Sequence, residues 1–376
     1  MRVALCYNKK PESSSQSQDE SEDESDPPPG RVFPEAYAEL DDEHTVKAVA
    51  KALSRAHEVQ LVEADEKAYS KFLYNRPDIV FNIAEGFNGP HREAFIPSIL
   101  EFLQIPYTGS DPLTLSICLD KVLTKQLLNY HGIPTPEFAS ATSIQEIQAT
   151  VKAWRHYPCI VKPVHEGSSI GVWSSSIAED PEQLSAQMRK SITLYKQPVL
   201  VERLLLGREF TVGVLGNGDQ AEILPVVEIC FDNLPKTSRP IYSYEAKWIW
   251  DTPKNPLNIF KCPAPIDEAL YESIRGVALK AYRSLRCRDW ARIDIRLDRE
   301  GRPNILEVNP LPGILPDPED NSCMPKAARA AGIEYEDLIL TVLRIACERY
   351  GIKTETPKDG KVSSQNGLNE LSRRGV

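Results

Sequence analysis

Residues 290–309 read WARIDIRLDREGRPNILEVN, and this stretch decides the fold of the chain around it. In its first half apolar side chains alternate strictly with polar ones, which predicts a half-buried β-strand. The apolar positions are Ile293, Ile295 and Leu297. Leu306–Asn309 alternates in the same way, and the polar residues 299–302 between the two segments suit a tight turn. The stretch therefore predicts an antiparallel β-hairpin.

Four polar side chains of this hairpin are expected on one face. If the hairpin is symmetric about Glu300–Gly301, Asp294 lies opposite Glu307 and Arg292 lies opposite Asn309. Two carboxylates that face each other repel unless a cation lies between them. Carboxylate and amide oxygens are the ligands that Mg²⁺ prefers. The hairpin therefore predicts a magnesium site, and the alternative is a surface hairpin whose charges face water.

A lysine and a Gly/Ser loop form the second signal. Lys162 lies in an apolar strand predicted over 158–163, where its charge needs a partner such as a bound phosphate. Gly167–Gly171 offers backbone N–H groups and hydroxyls that could wrap an anion. The Gly-Lys-Ser/Thr of a Walker A loop is missing, and a strand at Gly171–Ser174 is predicted to follow. A plain polar hairpin turn explains the loop equally well.

Two weaker signals follow along the chain. The strand Val199–Glu202 ends in an apolar corner shortly before Glu209, which could form an adenine slot with carboxylates beside it. A core strand that leaves its sheet would have the same sequence pattern. Tyr244–Trp248 is a polar and aromatic segment amid proline-rich chain, and an exposed loop is an equal interpretation of it.

The N-terminal part alternates strand-like and helix-like segments, which predicts parallel βαβ units in a small doubly wound domain. Residues 12–30 are rich in Ser, Asp, Glu and Pro without an apolar anchor, so we expect a solvated insertion, with a phosphorylatable switch as its alternative. One helix is predicted over Leu113–His131, before a Gly-Ile-Pro stop signal.

Composition excludes several classes of protein. The chain has 376 residues and a net charge of −10, which argues against a nucleic-acid-binding surface. Six acids between residues 19 and 26 contribute more than half of that charge. No apolar run is long enough for a membrane helix. The strand-like run formed by the first residues is too short and too early for a signal peptide. The eight cysteines include no Cys-x-x-Cys pair, so we expect buried free thiols in a cytoplasmic protein.

Taken in order, seven motifs resemble the D-alanine–D-alanine ligase family of the ATP-grasp superfamily, over about residues 78–347. The motifs are Ile105–Ser110, Leu119–Lys121, Glu166–Gly171, Arg208–Gly213, Tyr244–Lys247, Ala291–Asp294 and Glu307–Gly313. The resemblance implies an α/β (α+β) ATP-grasp fold, in which a doubly wound N-terminal domain precedes two α+β subdomains that clamp ATP. The implied domains are 1–112 with a disordered insertion at 11–30, then 113–200 and 201–352, with a disordered tail from 353.

The resemblance also implies roles for individual residues. ATP phosphates would be held by Lys121 and Lys162, with Lys247 on the γ-phosphate. Adenine and ribose would contact Glu202, the backbone of Leu205, and Glu209. Two Mg²⁺ ions, with Mn²⁺ as a possible replacement, would bind Asp294, Glu307 and Asn309. Ser168 and Ser169 would close over the phosphates. Arg292 and the backbone near Gly313 would stabilise the reacting carboxylate, and Arg292 with Ser322 would bind the second amino acid.

The sequence departs from the family where the substrate is recognised. The Gly-Gly-x-Ser-x-Glu that usually follows the first strand is missing, and no matching Glu is identifiable. Glu85 stands where the family has His, and it could contact a substrate ammonium group. Trp248 replaces the common Tyr, and the loop 313–324 is longer and richer in proline than usual.

The sequence thus predicts an ATP- and Mg²⁺-dependent ligase that joins two amino acids through an acyl phosphate, with D-alanine for both as the default. Ligation of other amino acids or peptides is the alternative. A non-catalytic ATP-binding protein and an interaction module built on the acidic segment are lesser ones. Small amino acids are the expected partners, with no nucleic acid or membrane, and a homodimer is possible.

Overall fold

The computed structural model describes residues 1–10, 35, 37–235, 238–251 and 257–353. The predicted acidic insertion with its alternative as a switch, and the predicted disordered tail beyond Lys353, lie outside the described residues. Within the described residues no helix has the length and apolar character needed to cross a membrane. All eight cysteines are free, as predicted, and five of them are buried.

The N-terminal part forms a parallel three-stranded sheet with helices on both faces, which confirms the predicted doubly wound arrangement. The strand order is β2-β1-β3, with β1 Arg2–Tyr7, β2 Glu58–Glu63 and β3 Ile79–Asn82. The helices are α1 Glu43–Ser54, α2 Ala68–Tyr74 and α3 Phe95–Phe102. Val3 and Leu5 of β1 pack towards α1, whereas Ala4 and Cys6 pack towards α2 and α3.

The single helix predicted over Leu113–His131 is wrong, because the chain forms two helices there: α4 Pro112–Leu119 and α5 Lys121–Tyr130. Asp120 between them is extended, and its side chain accepts hydrogen bonds from the backbone N–H groups of Val122 and Leu123. An Asp that caps a new helix in this way ends the previous one. The break places Lys121 at the first position of α5.

The second sheet is antiparallel, with strand order β4-β7-β5-β6. Its elements are β4 Phe138–Ala141, α6 Ile147–Ala153, β5 Cys159–Pro163, β6 Ile177–Ala178, α7 Pro181–Tyr195 and β7 Val199–Arg203. The strand predicted at Gly171–Ser174 is wrong, since pairing with β5 begins only at Ile177. Gly171 has a φ of +74°, and a Cβ there would overlap the ring of Pro163, so the chain turns at this point instead of extending.

The third sheet is also antiparallel, in the order β11-β10-β8-β12-β13, with β9 on the far end of β8. Its strands are β8 Glu209–Leu215, β9 Glu222–Ile223, β10 Val227–Ile229, β11 Phe260–Lys261, β12 Trp290–Leu297 and β13 Pro303–Asn309. The helices are α8 Glu268–Ser284, α9 Cys323–Ala330 and α10 Tyr335–Tyr350. Buried Trp290 meets Phe81 of β3 edge-on at 5.8 Å, which joins this sheet to the N-terminal core.

The predicted hairpin is present as β12 and β13. Arg292 pairs with Asn309 and Asp294 pairs with Glu307, as predicted. Nearer the turn the pairing shifts by one residue, so that Leu297 pairs with Pro303 and the turn is centred on Glu300. A bulge after Asp294 absorbs the difference. The predicted register is therefore correct at the polar end, although the assumed symmetry about Glu300–Gly301 is not.

Candidate functional site

A cavity of about 270 Å³ brings together most of the residues that the sequence selected. Those that line it are Glu85, Lys121, Lys162, Ser168, Ser169, Glu209, Lys247, Arg292, Asp294, Glu307, Gly313 and Ser322. Glu202, Leu205 and Asn309 are not among the lining residues. The cavity wall thus draws on the second and third sheets and on loops, among them the loop after β3 that carries Glu85.

The polar end of the hairpin forms one side of the cavity. Arg292 donates two hydrogen bonds to Asp294, from Nε at 3.1 Å and from a terminal nitrogen at 3.0 Å. Thr211 of β8 donates to the same carboxylate at 2.7 Å, and the Asn309 amide nitrogen donates to it at 3.2 Å. Asn309 therefore lies against Asp294 and keeps its amide oxygen for another partner.

Glu307 is held in its ionised form. Its carboxylate lies 3.4 Å from the ammonium group of Lys121. Burial by itself would raise the pKa of Glu307, but Lys121, Arg292 and Lys162 outweigh it and lower the pKa to about 2. No three His, Cys, Asp or Glu side chains among the described residues form a metal site by themselves. A set of hard oxygen donors at this end would thus combine Asp294 and Glu307 with the amide oxygen of Asn309.

Two lysines from outside the hairpin also line the cavity, Lys162 on β5 and Lys121 on α5. Lys162 of β5 reaches it while its ammonium group pairs with Glu202 at 2.9 Å. Lys121 also donates to the backbone carbonyl of Glu166, which ties α5 to the loop after β5. Glu209 pairs with Arg296 at 2.9 Å; burial nevertheless raises the pKa of Glu209. Lys121 and Lys162 thus bring positive charge close to Glu307 of the hairpin.

The Gly/Ser loop lies on the cavity as an ordered cover. Ser168 and Ser169 both have positive φ, at +48° and +61°. The Ser168 carbonyl accepts a hydrogen bond from the Trp248 indole at 3.0 Å, and the Ser169 hydroxyl donates to the Tyr242 carbonyl at 3.0 Å. A plain hairpin turn would need none of these distant partners, so the loop is part of the cavity wall.

The segment Tyr244–Trp248 is helical, as part of a short π-helix Glu245–Trp250, so its interpretation as an exposed loop is wrong. Ala246 is fully buried, and the next residue, Lys247, lines the cavity. Burial and the nearby Arg292 lower the pKa of Lys247. A bound anion would favour the charged form of this lysine and offset that effect.

A buried ion pair that sequence reasoning missed anchors the same loop. Arg92 donates to both carboxylate oxygens of Glu39, at 2.9 and 2.6 Å, and to the His165 carbonyl at 2.6 Å. Glu39 in turn accepts from the backbone N–H of Gly167 at 2.7 Å. Arg92 and Glu39 are only 2% and 7% exposed. No local pattern could have found the pair, since Glu39 and Arg92 lie 53 positions apart.

We expect that replacing Arg92 by Met lowers the free energy of unfolding by about 3–5 kcal/mol, because it leaves the Glu39 charge buried without its cation. Denaturant unfolding monitored by circular dichroism measures the change. Arg239→Met is the matched control, since Arg239 forms a 2.7 Å pair with Glu179 in which both side chains are exposed. The free energy of unfolding of that variant should fall by about 1 kcal/mol or less. Equal losses in the two variants would contradict the anchoring role of Arg92.

Gly313 and Ser322 are two further predicted residues of the cavity wall. The Ser322 hydroxyl donates to the Gly313 carbonyl at 3.3 Å and accepts from the backbone N–H of Leu315 at 3.1 Å. The loop between them is tied to the π-helix segment by a hydrogen bond from Asn321 to Asp251. This loop forms part of the cavity wall beside Arg292.

Glu85 is half-buried in the cavity wall. Burial, followed by the nearby carboxylates of Glu39, Glu93 and Asp41, raises the pKa of Glu85 well above its usual range. A cationic group placed next to Glu85 would remove this unfavourable interaction. The position therefore suits the ammonium group of a ligand.

Comparison with known proteins gives consistent matches. The sequence model described as D-ala D-ala ligase C-terminus matches residues 127–344. The D-alanine–D-alanine ligase of Cupriavidus metallidurans is 38% identical over 269 residues, which cover 72% of this chain and 76% of the relative. The uncharacterized protein y4sG of Sinorhizobium fredii is 34% identical over 332 residues, 85% of this chain and 93% of the relative.

Solved structures share the fold. The crystal structure of a D-alanine–D-alanine ligase from Bacillus anthracis has a TM-score of 0.65 and 22% identity, and the match covers 93% of this chain and 99% of that chain. A second crystal structure from Bacillus anthracis, complexed with ATP, has a TM-score of 0.63 and 21% identity over the same shares.

Proposed function

Because the chain belongs to the D-alanine–D-alanine ligase family, whose fold is ATP-grasp, we propose that it is an ATP- and Mg²⁺-dependent ligase joining the carboxylate of one amino acid to the amine of another. The observation that carries the proposal is the cavity itself. One hairpin face supplies Asp294, Glu307 and Arg292, and Lys162 and Lys247 lie across from it in the same cavity. The two later segments, 113–200 and 201–352, would close on the nucleotide as subdomains.

The lysines are suited to bind a polyphosphate. In the proposed complex Lys121 and Lys162 hold the phosphates of ATP and Lys247 holds the γ-phosphate, with the loop of Ser168 and Ser169 above them. Glu209 and the backbone of Leu205 are assigned to the ribose and adenine. Support comes from the burial of these ammonium groups, since a buried lysine gains most from an anionic partner.

The hairpin side chains fit Mg²⁺. Asp294, Glu307 and Asn309 are hard oxygen donors on one face, and Glu307 is ionised by its cationic neighbours. Bound Mg²⁺ would neutralise negative charge on the phosphates of ATP. Arg292 keeps the Asp294 carboxylate in place through two parallel hydrogen bonds, which fixes the orientation of that donor.

The proposed chemistry needs no protein nucleophile. A carboxylate oxygen of the first amino acid attacks the γ-phosphorus of ATP, and ADP leaves with the electrons of the broken P–O bond. The amine of the second amino acid then attacks the carbonyl carbon of the acyl phosphate, inorganic phosphate leaves, and the nitrogen loses a proton. Arg292 and the backbone at Gly313, which both line the cavity, would stabilise negative charge on the reacting carboxylate.

D-Alanine is the default for both substrates, and Glu85 together with the long loop 313–324 favours other amino acids as the alternative. The test is to incubate the protein with ATP, Mg²⁺ and single amino acids of either configuration while measuring phosphate release and dipeptide mass. Release with D-alanine supports the default, and release only with another amino acid replaces it. Binding of ATP without release by any amino acid or amino-acid pair would favour a non-catalytic ATP-binding protein.

We expect Glu85→Gln to raise the KM for the first amino acid about 10- to 100-fold, because a charge-assisted hydrogen bond to its ammonium group becomes a neutral one. The KM for ATP should change less than about twofold. Steady-state phosphate release at varied amino acid and at varied ATP separates the two effects. An unchanged amino-acid KM would contradict the assignment of Glu85 to the substrate ammonium.

A further inference from the structure

Lys125 is a fully buried cation that the chemistry above does not use. It lies on α5, one turn after Lys121, and its side chain is 1% exposed. Its ammonium group forms an ion pair with Glu202 and donates to the Thr135 hydroxyl at 2.8 Å. Thr135 donates in turn to the Ile305 carbonyl at 2.8 Å. The two hydrogen bonds of Thr135 thus hold the Lys125 ammonium group outside the cavity wall.

Glu202 lies between two lysines. One of its carboxylate oxygens pairs with Lys162 at 2.9 Å, and the other pairs with Lys125. Its side chain is only 2% exposed. Burial by itself would raise the pKa of Glu202, but Lys125 and Lys162 outweigh it and lower the pKa, so that the group is an anion.

The charges of this triad have a direct consequence. Lys162 and Glu202 alone form a neutral pair, and a neutral pair attracts a phosphate weakly. Lys125 adds a second positive charge on the far side of Glu202, so that the three side chains together carry one positive charge. Because Lys125 does not line the cavity, it can act on a ligand only through Glu202 and through its field.

We propose that Lys125 is a positioning residue that holds Glu202 and balances its charge. The triad of Lys125, Glu202 and Lys162 thereby keeps a net positive charge for the polyphosphate of the substrate. The inference rests on the proposed function in that Lys162 contacts ATP phosphates. It also gives Glu202 a second task, beyond the adenine contact that the family resemblance implies. Binding of the polyphosphate should follow the net charge of the triad.

The experiment measures binding of Mg²⁺–tripolyphosphate, which carries the phosphates without the base, by isothermal titration calorimetry. Lys125→Met makes the triad neutral, and we expect binding to weaken about tenfold or more. The double variant Lys125→Met/Glu202→Gln restores one positive charge and should return to within about threefold of the wild type. Glu202→Gln alone should bind at least as tightly as the wild type. AMP, which lacks the β- and γ-phosphates, is the comparison ligand. On a logarithmic scale, Lys125→Met should weaken AMP binding by less than half as much as it weakens tripolyphosphate binding.

Lys190→Met is the matched control, since Lys190 is an exposed residue of α7 that does not line the cavity. It removes the same formal charge and should leave tripolyphosphate binding within about twofold. A double variant as weak as Lys125→Met, or equal losses for AMP and tripolyphosphate, would overturn the inference. If Lys125→Met does not fold, Glu202→Gln still decides, because weaker tripolyphosphate binding in that variant contradicts the charge balance.

Failure of the inference can be told from failure of the proposed function. A wild-type protein that binds neither ATP nor tripolyphosphate would refute both. A wild-type protein that binds them, with a Lys125→Met variant that binds them equally well, would refute only the role of Lys125.

Discussion

Replacing Glu307 by Gln is expected to lower kcat for dipeptide formation by about 10³-fold or more while nucleotide binding is partly retained. The substitution keeps the shape of the side chain but removes the charge of a proposed metal donor, which also pairs with Lys121 at 3.4 Å. Binding depends on several lysines, whereas charge neutralisation during phosphoryl transfer depends on the metal donors. Single-turnover phosphate release gives the rate, and equilibrium titration with a non-hydrolysable ATP analogue gives the affinity.

Glu300→Gln provides the matched control for this experiment. Glu300 lies in the turn of the same hairpin, where it is exposed and pairs with Arg302 at 3.1 Å. The rate of phosphate release by Glu300→Gln should stay within about twofold of the wild-type rate. If Glu307→Gln turned over as fast as the wild type, the assignment of the hairpin to a metal site would be wrong.

The second large effect concerns Arg292. Arg292→Lys keeps the charge but loses the planar fork that donates two parallel hydrogen bonds to Asp294. We expect kcat to fall about 10²- to 10³-fold, the range measured when one donor to a developing oxyanion is lost. The KM for ATP should rise much less, because Arg292 is assigned to the reacting carboxylate and to the second amino acid.

Arg208→Lys is the control for the loss of a bidentate pair. Arg208 directly precedes β8 and donates to Glu228 of β10 at 2.6 and 2.8 Å, yet it does not line the cavity. Its kcat should stay within about threefold of the wild type. Parallel rate losses in both variants would show that the effect of Arg292 arises from the stability of the sheet and not from its place in the site.

The hairpin shows how far the sequence could predict the site. Strict alternation over residues 290–309 predicts two strands, and pairing of the strands predicts which polar groups meet. The prediction is correct at Asp294 and Glu307 even though the turn lies one residue away from its assumed centre. A bulge restores the register, and the sequence contains no local signal for it.

Elsewhere the sequence misplaced elements that depend on distant contacts. The strand predicted at Gly171–Ser174 is a turn because Gly171 packs on Pro163 and the loop before it is bound by Tyr242 and Trp248. Helix propensity alone could not reveal the break at Asp120 either, because an Asp inside an apolar run also fits a continuous helix.

Local periodicity and ordered motifs by themselves determined the doubly wound N-terminal sheet, the hairpin and the family, because each alternating segment and each motif is a short stretch that can be recognised without its distant contacts. Tertiary structure alone decided the Arg92–Glu39 anchor and the placement of Glu202 between Lys125 and Lys162. These contacts join residues tens to more than a hundred positions apart. A buried charge is stable only beside its partner, and that partner is chosen by how the sheets pack, which no single segment encodes.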